Sequence, residues 1–163
     1  MKLVLLESPF GNSDPGVVER NKSYARAAMH DCLVNHNEAP YASHLLYTQL
    51  GVLDDNIPEE RTLGIEAGLI WGALAEYTVA YYDRGISKGM KYGLARAYKE
   101  GRRVEMRTLG DEWRDENSPT FYRCGCEGPL FCTVCGNWGW LNKDILNDIA
   151  IKHFEERDEG QQS

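Results

Sequence analysis

No stretch of this sequence approaches the roughly 20 apolar residues that a membrane span needs. The opening Met1-Lys2-Leu3-Val4-Leu5-Leu6 meets Glu7 before it reaches the length of an export-signal core, so a cytoplasmic protein is predicted. A basic surplus is also missing: 18 Lys and Arg stand against 25 Asp and Glu, a net charge of −7. A surface built to neutralise the phosphates of a duplex has the opposite balance, so neither nucleic acid nor a membrane is expected as a main partner. Cysteine is nearly confined to one place, with four of the five falling between Cys124 and Cys135. In a chain with no export signal, that clustering points to a metal rather than to disulfides. What remains, 163 residues with 42% hydrophobic and 26% charged, is enough for one soluble core and a small appendage.

The pattern along the chain predicts an α/β fold. Residues 2–6 form an apolar run that ends in the turn-rich Glu7-Ser8-Pro9-Phe10-Gly11-Asn12, as a buried strand feeding a loop does. Asp14 as N-cap and Pro15 at the first helical position then open a helix, with Val17, Asn21, Tyr24, Ala25, Ala28, Met29 and Cys32 on its inner side. A short strand within 38–43 and a long loop over 44–57 follow, with Asp54 and Asp55 as loop acids. Asn56 and Pro58 open a second helix, in which Gly64, Gly68 and Gly72 fall on one stripe. Each of these glycines costs roughly 1 kcal/mol of helix propensity relative to Ala, so something must approach that face closely: the sheet, a second subunit or a ligand. A strand over 77–82, a helix capped by Ser87 and running through Met90, Leu94, Ala97 and Tyr98, and an outer strand over 103–107 complete a small doubly wound, flavodoxin-like or Rossmann-like parallel sheet over residues 1–109.

Residues 110–163 read differently, as a cysteine-rich, zinc-knuckle-like appendage, a final helix capped by Asn142 and a charged tail. Cys124-x-Cys126 and Cys132-x-x-Cys135 supply four soft ligands for a structural zinc, with reduced thiols, a disulfide and an iron–sulfur arrangement as alternatives. Four thiolates leave no open position for a substrate, so such a zinc would staple the segment and perform no chemistry. Trp138 and Trp140 flank the cluster, and Cys32 reads as a small buried hydrophobe. No organic cofactor is indicated.

In an open parallel sheet, ligands bind outside the carboxyl ends of the strands. That rule selects the loop at Ser8, Pro9, Phe10 and Gly11, and the segment 83–90, where a helix N-terminus offers backbone N–H groups to an anion. Ser8-Pro9-Phe10, His44-Leu45, Glu60-Arg61 followed by Gly64-Ile65-Glu66-x-Gly68, and Asp83-x-Gly85-x-Ser87-x-Gly89-Met90 with Ala95 and Gly101 beyond it are quoted together for a reason. In combination they resemble the nucleoside 2-deoxyribosyltransferase-like family over about residues 1–108, and more closely its small, often phage-encoded branch. The resemblance implies a nucleoside, a nucleotide or a nucleotide-derived signal as ligand, in the host cytoplasm if the chain is phage-encoded. It also implies that Ser8, Pro9, Phe10, Gly11, His44, Arg61, Gly85, Ser87, Gly89 and Met90 form the binding site. Enzymes of the family cleave or exchange N-glycosidic bonds, and relatives often build their sites between subunits, so a homo-oligomer is expected.

The sequence departs from the family at one position that matters. The glutamate expected early in the helix after Ser-x-Gly-Met aligns with Gly93, and Lys91-Tyr92-Gly93-Leu94 holds no carboxylate. Carboxylates stabilise or attack the sugar carbon in such reactions. Another acid is therefore needed, and Glu7, Glu66 and Asp83 are the candidates; each also has a plain structural role open to it, as a strand end, an ion pair or a turn. Three readings follow: a glycosidase or transferase using one of these acids, an inactive protein that sequesters a nucleotide signal, or a zinc-stapled interaction module.

Overall fold

The computed structural model describes residues 1–114 and the backbone of Tyr122–Arg123 and Trp140–Leu141. Four parallel strands, β1 (Lys2–Glu7), β2 (Glu38–Tyr41), β3 (Tyr77–Tyr81) and β4 (Val104–Arg107), form one sheet in the order β2-β1-β3-β4. Val4 pairs with Pro40 on one side and with Tyr77 on the other, and Thr78 pairs with Val104. The two central strands are buried on both faces, which is why they are continuous apolar runs in the sequence.

Alternation along the strands sends side chains to two separate layers. Val4, Leu6, Val79 and Tyr81 pack against Tyr24, Ala28 and Cys32 of α1 (Pro15–Asn35). Ala80, Tyr82 and Met106 pack against Met90, Leu94 and Ala97 of α4 (Lys88–Lys99). The sheet is therefore covered on both faces, as the sequence predicts. The predicted helix starts are also present: the Asp14 side chain accepts from Gly16 N, and the Ser87 side chain accepts from Met90 N.

Two local expectations need correction. The segment after β2 is not all loop, because Ser43–Leu46 forms a short helix, α2; four residues are too few to display a helical period in sequence. Helix α3 (Pro58–Gly72) is capped by Ile57 with no side-chain hydrogen bond, since Asn56 instead donates to Asp54 Oδ1 from both its backbone N (2.9 Å) and its side-chain N (2.8 Å).

The glycine stripe of α3 faces this chain's own residues. A Cβ at Gly68 would sit 2.8 Å from Ser43 Cβ, and one at Gly72 would sit 3.0 Å from Leu5 Cδ2. Missing side chains thus let α3 lie directly on β1 and α2. Gly68→Ala is expected to lower the melting temperature by several degrees, because the contact is with a Cβ that cannot swing aside; a thermal melt checks this.

Under α1 lies a buried ion pair. The Arg107 guanidinium grips Glu38 through Nη1–Oε2 (2.7 Å) and Nη2–Oε1 (2.8 Å), Tyr77 donates its hydroxyl to the same carboxylate, and Arg107 reaches Glu105 at 2.9 Å. Burial alone would raise the Glu38 pKa, but the hydrogen bonds from Arg107 and Tyr77 hold it below the ordinary carboxylate value.

A two-stranded antiparallel ladder pairs Tyr122–Arg123 (β5) with Trp140–Leu141 (β6), and these two segments bracket the cysteine cluster in sequence. The expected zinc ligands Cys124, Cys126, Cys132 and Cys135, the aromatic Trp138 and the predicted final helix lie outside the described residues. Cys32 is a buried free thiol, as expected. Among the described residues, no helix is long and apolar enough to cross a membrane.

Candidate functional site

Helix α1 leaves β1 toward one face of the sheet, whereas α3 and α4 pack on the other. The chain therefore parts at the carboxyl ends of β1 and β3, and crevices form at such a switch point. An open cleft lies there. Glu7, Ser8, Phe10 and Gly11 come to it from the end of β1, His44 from α2, Arg61 and Gly64 from α3, and Ser87, Gly89, Met90 and Gly93 from the head of α4.

At the floor of the cleft, Glu7 and Gly93 touch. A Cβ built on Gly93 would lie 2.8 Å from Glu7 Cδ and closer still to Oε1. The strand carboxyl thus fills the space from which a side chain on α4 would project. Burial pushes the Glu7 pKa up to about 8, against a smaller downward pull from the Arg102 guanidinium. At pH 7 Glu7 is mainly the neutral acid and can donate a hydrogen bond or a proton.

Beside it, Ser8 Oγ and His44 Nε2 are hydrogen-bonded at 2.9 Å, and the Phe10 ring meets the His44 ring edge-on at 5.7 Å between centroids. Burial lowers the His44 pKa to about 4, so the imidazole is neutral at pH 7. The cleft floor therefore carries a neutral acid and a neutral imidazole, while its rim carries charge: Arg61 pairs with Asp55, which the loop before α3 brings to the mouth.

The remaining predicted residues are placed elsewhere. Glu66, one of the three candidate acids, is exposed and does not line the cleft. It stands two positions from both Gly64 and Gly68, about 200° around the helix from each, so the face that meets the cleft turns it away. Asp83 is buried but is not at the cleft either. It accepts from Tyr24 Oη at 2.6 Å and Leu109 N at 2.8 Å, while its own N–H donates to Tyr24 Oη at 2.9 Å, an arrangement that ties β3, α1 and the exit of β4 together. Pro9 and Gly85 line an adjoining basin that shares Gly11 and Ser87 with the cleft. Tyr47, Thr48, Glu60 and Tyr92 also line the cleft. The sequence gives no signal for Tyr47 and Thr48, which follow a helix too short to announce itself.

The family model for DUF7768, a domain of unknown function, matches residues 2–107 of this chain. The chain belongs to the DUF7768 family. The matched span begins with β1 and ends on the last residue of β4, so the DUF7768 domain contains the whole four-stranded sheet and every cleft residue named above. No curated protein matches the chain. Among solved structures, the 2-deoxyribosyltransferase of the psychrotolerant bacterium Bacillus psychrosaccharolyticus is similar at 20% identity over 65% of this chain and 72% of that one, with a TM-score of 0.46.

Proposed function

We propose that this DUF7768 domain binds a nucleoside or nucleotide in the cleft and cleaves its N-glycosidic bond with Glu7 as the acid. The observation that carries this reading is the Glu7 carboxyl lying against Gly93 at the head of α4, in the crevice at the sheet's switch point. Enzymes that the sequence resembles carry their glutamate on that helix; here β1 brings a carboxyl to the same space. As the neutral acid, Glu7 gives its proton to the leaving base while the C–N bond breaks. Water adds hydroxide to the sugar carbon, and its remaining proton returns to the Glu7 carboxylate. The neutral Ser8–His44 pair is suited to orient sugar hydroxyls, accepting or donating without placing a charge beside the developing cation.

The test is incubation of the full chain with a panel of nucleosides and nucleotides, followed by chromatography for released base. Free base in the native protein, absent in Glu7→Gln, supports cleavage. A second reading, sequestration of a nucleotide signal without turnover, is favoured by Gly93, which leaves the head of α4 without the glutamate that the resembled enzymes carry there. It predicts that one compound is depleted from solution and returns intact on heating. If no compound is bound or cleaved, both readings fail.

A second copy of the chain is proposed as partner. Leu63 and Ile70 on α3 and Leu74 just beyond its end are 56%, 73% and 64% exposed, with the half-exposed Trp71 beside them. Light scattering is expected to give a dimer or larger assembly, and Ile70→Glu/Leu74→Glu a monomer; a monomeric native chain would remove this expectation.

A further inference from the structure

Beside the cleft, across Gly11 and Ser87, opens the solvent-facing basin. Four cations line it: Arg20 from α1, Arg84 from the turn after β3, Lys88 from the head of α4, and Arg114. The described residues that line it include no Asp or Glu, and clustered cations of this kind attract anions.

The cations are held at the basin by identifiable contacts. Arg84 Nε donates to Asn21 Oδ1 at 2.8 Å, and Asn21 Nδ2 in turn donates to Phe10 O at 2.8 Å, so this guanidinium is braced against the loop that also forms the cleft. Arg20 Nη2 donates to Glu112 O at 3.0 Å, a backbone carbonyl. Arg114 meets Asp111 at 3.2 Å, with both side chains more than half exposed, an ion pair of little strength.

Lys88 gives the most direct indication. It occupies the first position of α4, whose first turn contains no acid. A cation there opposes the helix dipole and is normally avoided, at a cost of roughly 0.3–1 kcal/mol. Lys88 and the α4 N-terminus repel one another in the empty protein and attract the same anion when one is present. Local rules broken in this way are expected at functional sites.

We infer that the basin is a polyphosphate subsite: the ligand is a nucleotide with two or more phosphates, its nucleoside in the cleft and its outer phosphates among Arg20, Arg84, Lys88 and Arg114. The nucleoside half rests on the function proposed above, whereas the anion half rests on the basin alone. Gly11 and Ser87, common to both spaces, mark where the ligand passes from one to the other.

The experiment is calorimetric titration of the full chain with each nucleoside and its 5′-mono-, di- and triphosphate, and separately with inorganic triphosphate. The diphosphate is expected to bind at least tenfold more tightly than the nucleoside, with an advantage that shrinks as salt is raised. In Lys88→Gln/Arg114→Gln, two exposed positions, the diphosphate-to-nucleoside ratio is expected to fall below threefold, with a melting curve like that of the native chain. Nucleosides that bind equally well with any number of phosphates would overturn the subsite and leave the nucleoside reading intact. Binding of inorganic triphosphate alone, lost in the double variant, would overturn the nucleoside reading and keep an anion site. Absence of all binding would overturn both.

Discussion

Glu7→Gln is expected to reduce base release by at least about 10³-fold, since the amide keeps the shape of the carboxylic acid but has no proton to give. The same substitution is expected to stabilise the protein in alkali. The Glu7 pKa is raised in the folded state, so in the native chain the unfolded form releases this proton from about pH 4.5 upward while the folded form keeps it to about pH 8. Native stability therefore falls across that interval, by on the order of 1.4 kcal/mol for each pH unit, and Gln is exempt from the loss. Melting curves of the two chains should nearly coincide at pH 5 and separate, with Glu7→Gln the more stable, by pH 8. The base release proposed for the native chain should be level below pH 8 and fall about tenfold per unit above it. Coincident melting curves at pH 9 would mean that Glu7 titrates as an ordinary carboxylate and is not the acid proposed. An activity-sparing substitution that gains stability would separate the two roles; one that gains stability while losing activity identifies a strained functional group.

Arg107→Met is expected to lose about 3–5 kcal/mol of stability, because it leaves Glu38 buried with its guanidinium partner gone. Its pH dependence carries a sign that distinguishes this cause from lost packing. Glu38 has a lowered pKa in the native fold, so its contribution is present above the unfolded value of 4.5 and disappears as pH falls through the folded one. In the variant the unpaired carboxyl is least harmful when protonated. The gap between native and variant, measured by urea denaturation, should therefore narrow as the pH drops below about 4.5. Glu38→Met/Arg107→Met should recover much of the loss, since two apolar side chains in place of a buried ion pair leave no charge behind. A gap that stays constant with pH would mean that the pair is not coupled as its geometry indicates.

The sheet, its two helical layers and the caps at Asp14 and Ser87 were legible in the sequence because each depends on neighbours within a few residues. Alternation, apolar runs and side-chain capping are local signals. The site was legible only in part. The loop at Ser8 and the head of α4 follow from strand order, and His44 does meet Ser8. Which acid enters the cleft is decided by direction, and direction comes from packing. Glu66 and Glu7 are both carboxylates beside glycine-rich segments, yet the register of α3 turns the first outward while the end of β1 aims the second at Gly93. The resemblance that leads one to expect a glutamate at position 93 cannot reveal what fills the space, because the filling residue lies 86 positions earlier. Arg107 and Glu38 present the same difficulty at 69 positions apart.

Asp83 gives the domain a practical boundary. The family-matched span stops at Arg107, but the Asp83 carboxylate takes its donors from Leu109 and Gly110, and Trp113 lies against Tyr24 at 5.4 Å between ring centroids. A chain cut after residue 107 would strip a buried anion of those backbone donors and bare one side of α1. A piece expressed for crystallography or binding work therefore needs to extend at least past Trp113.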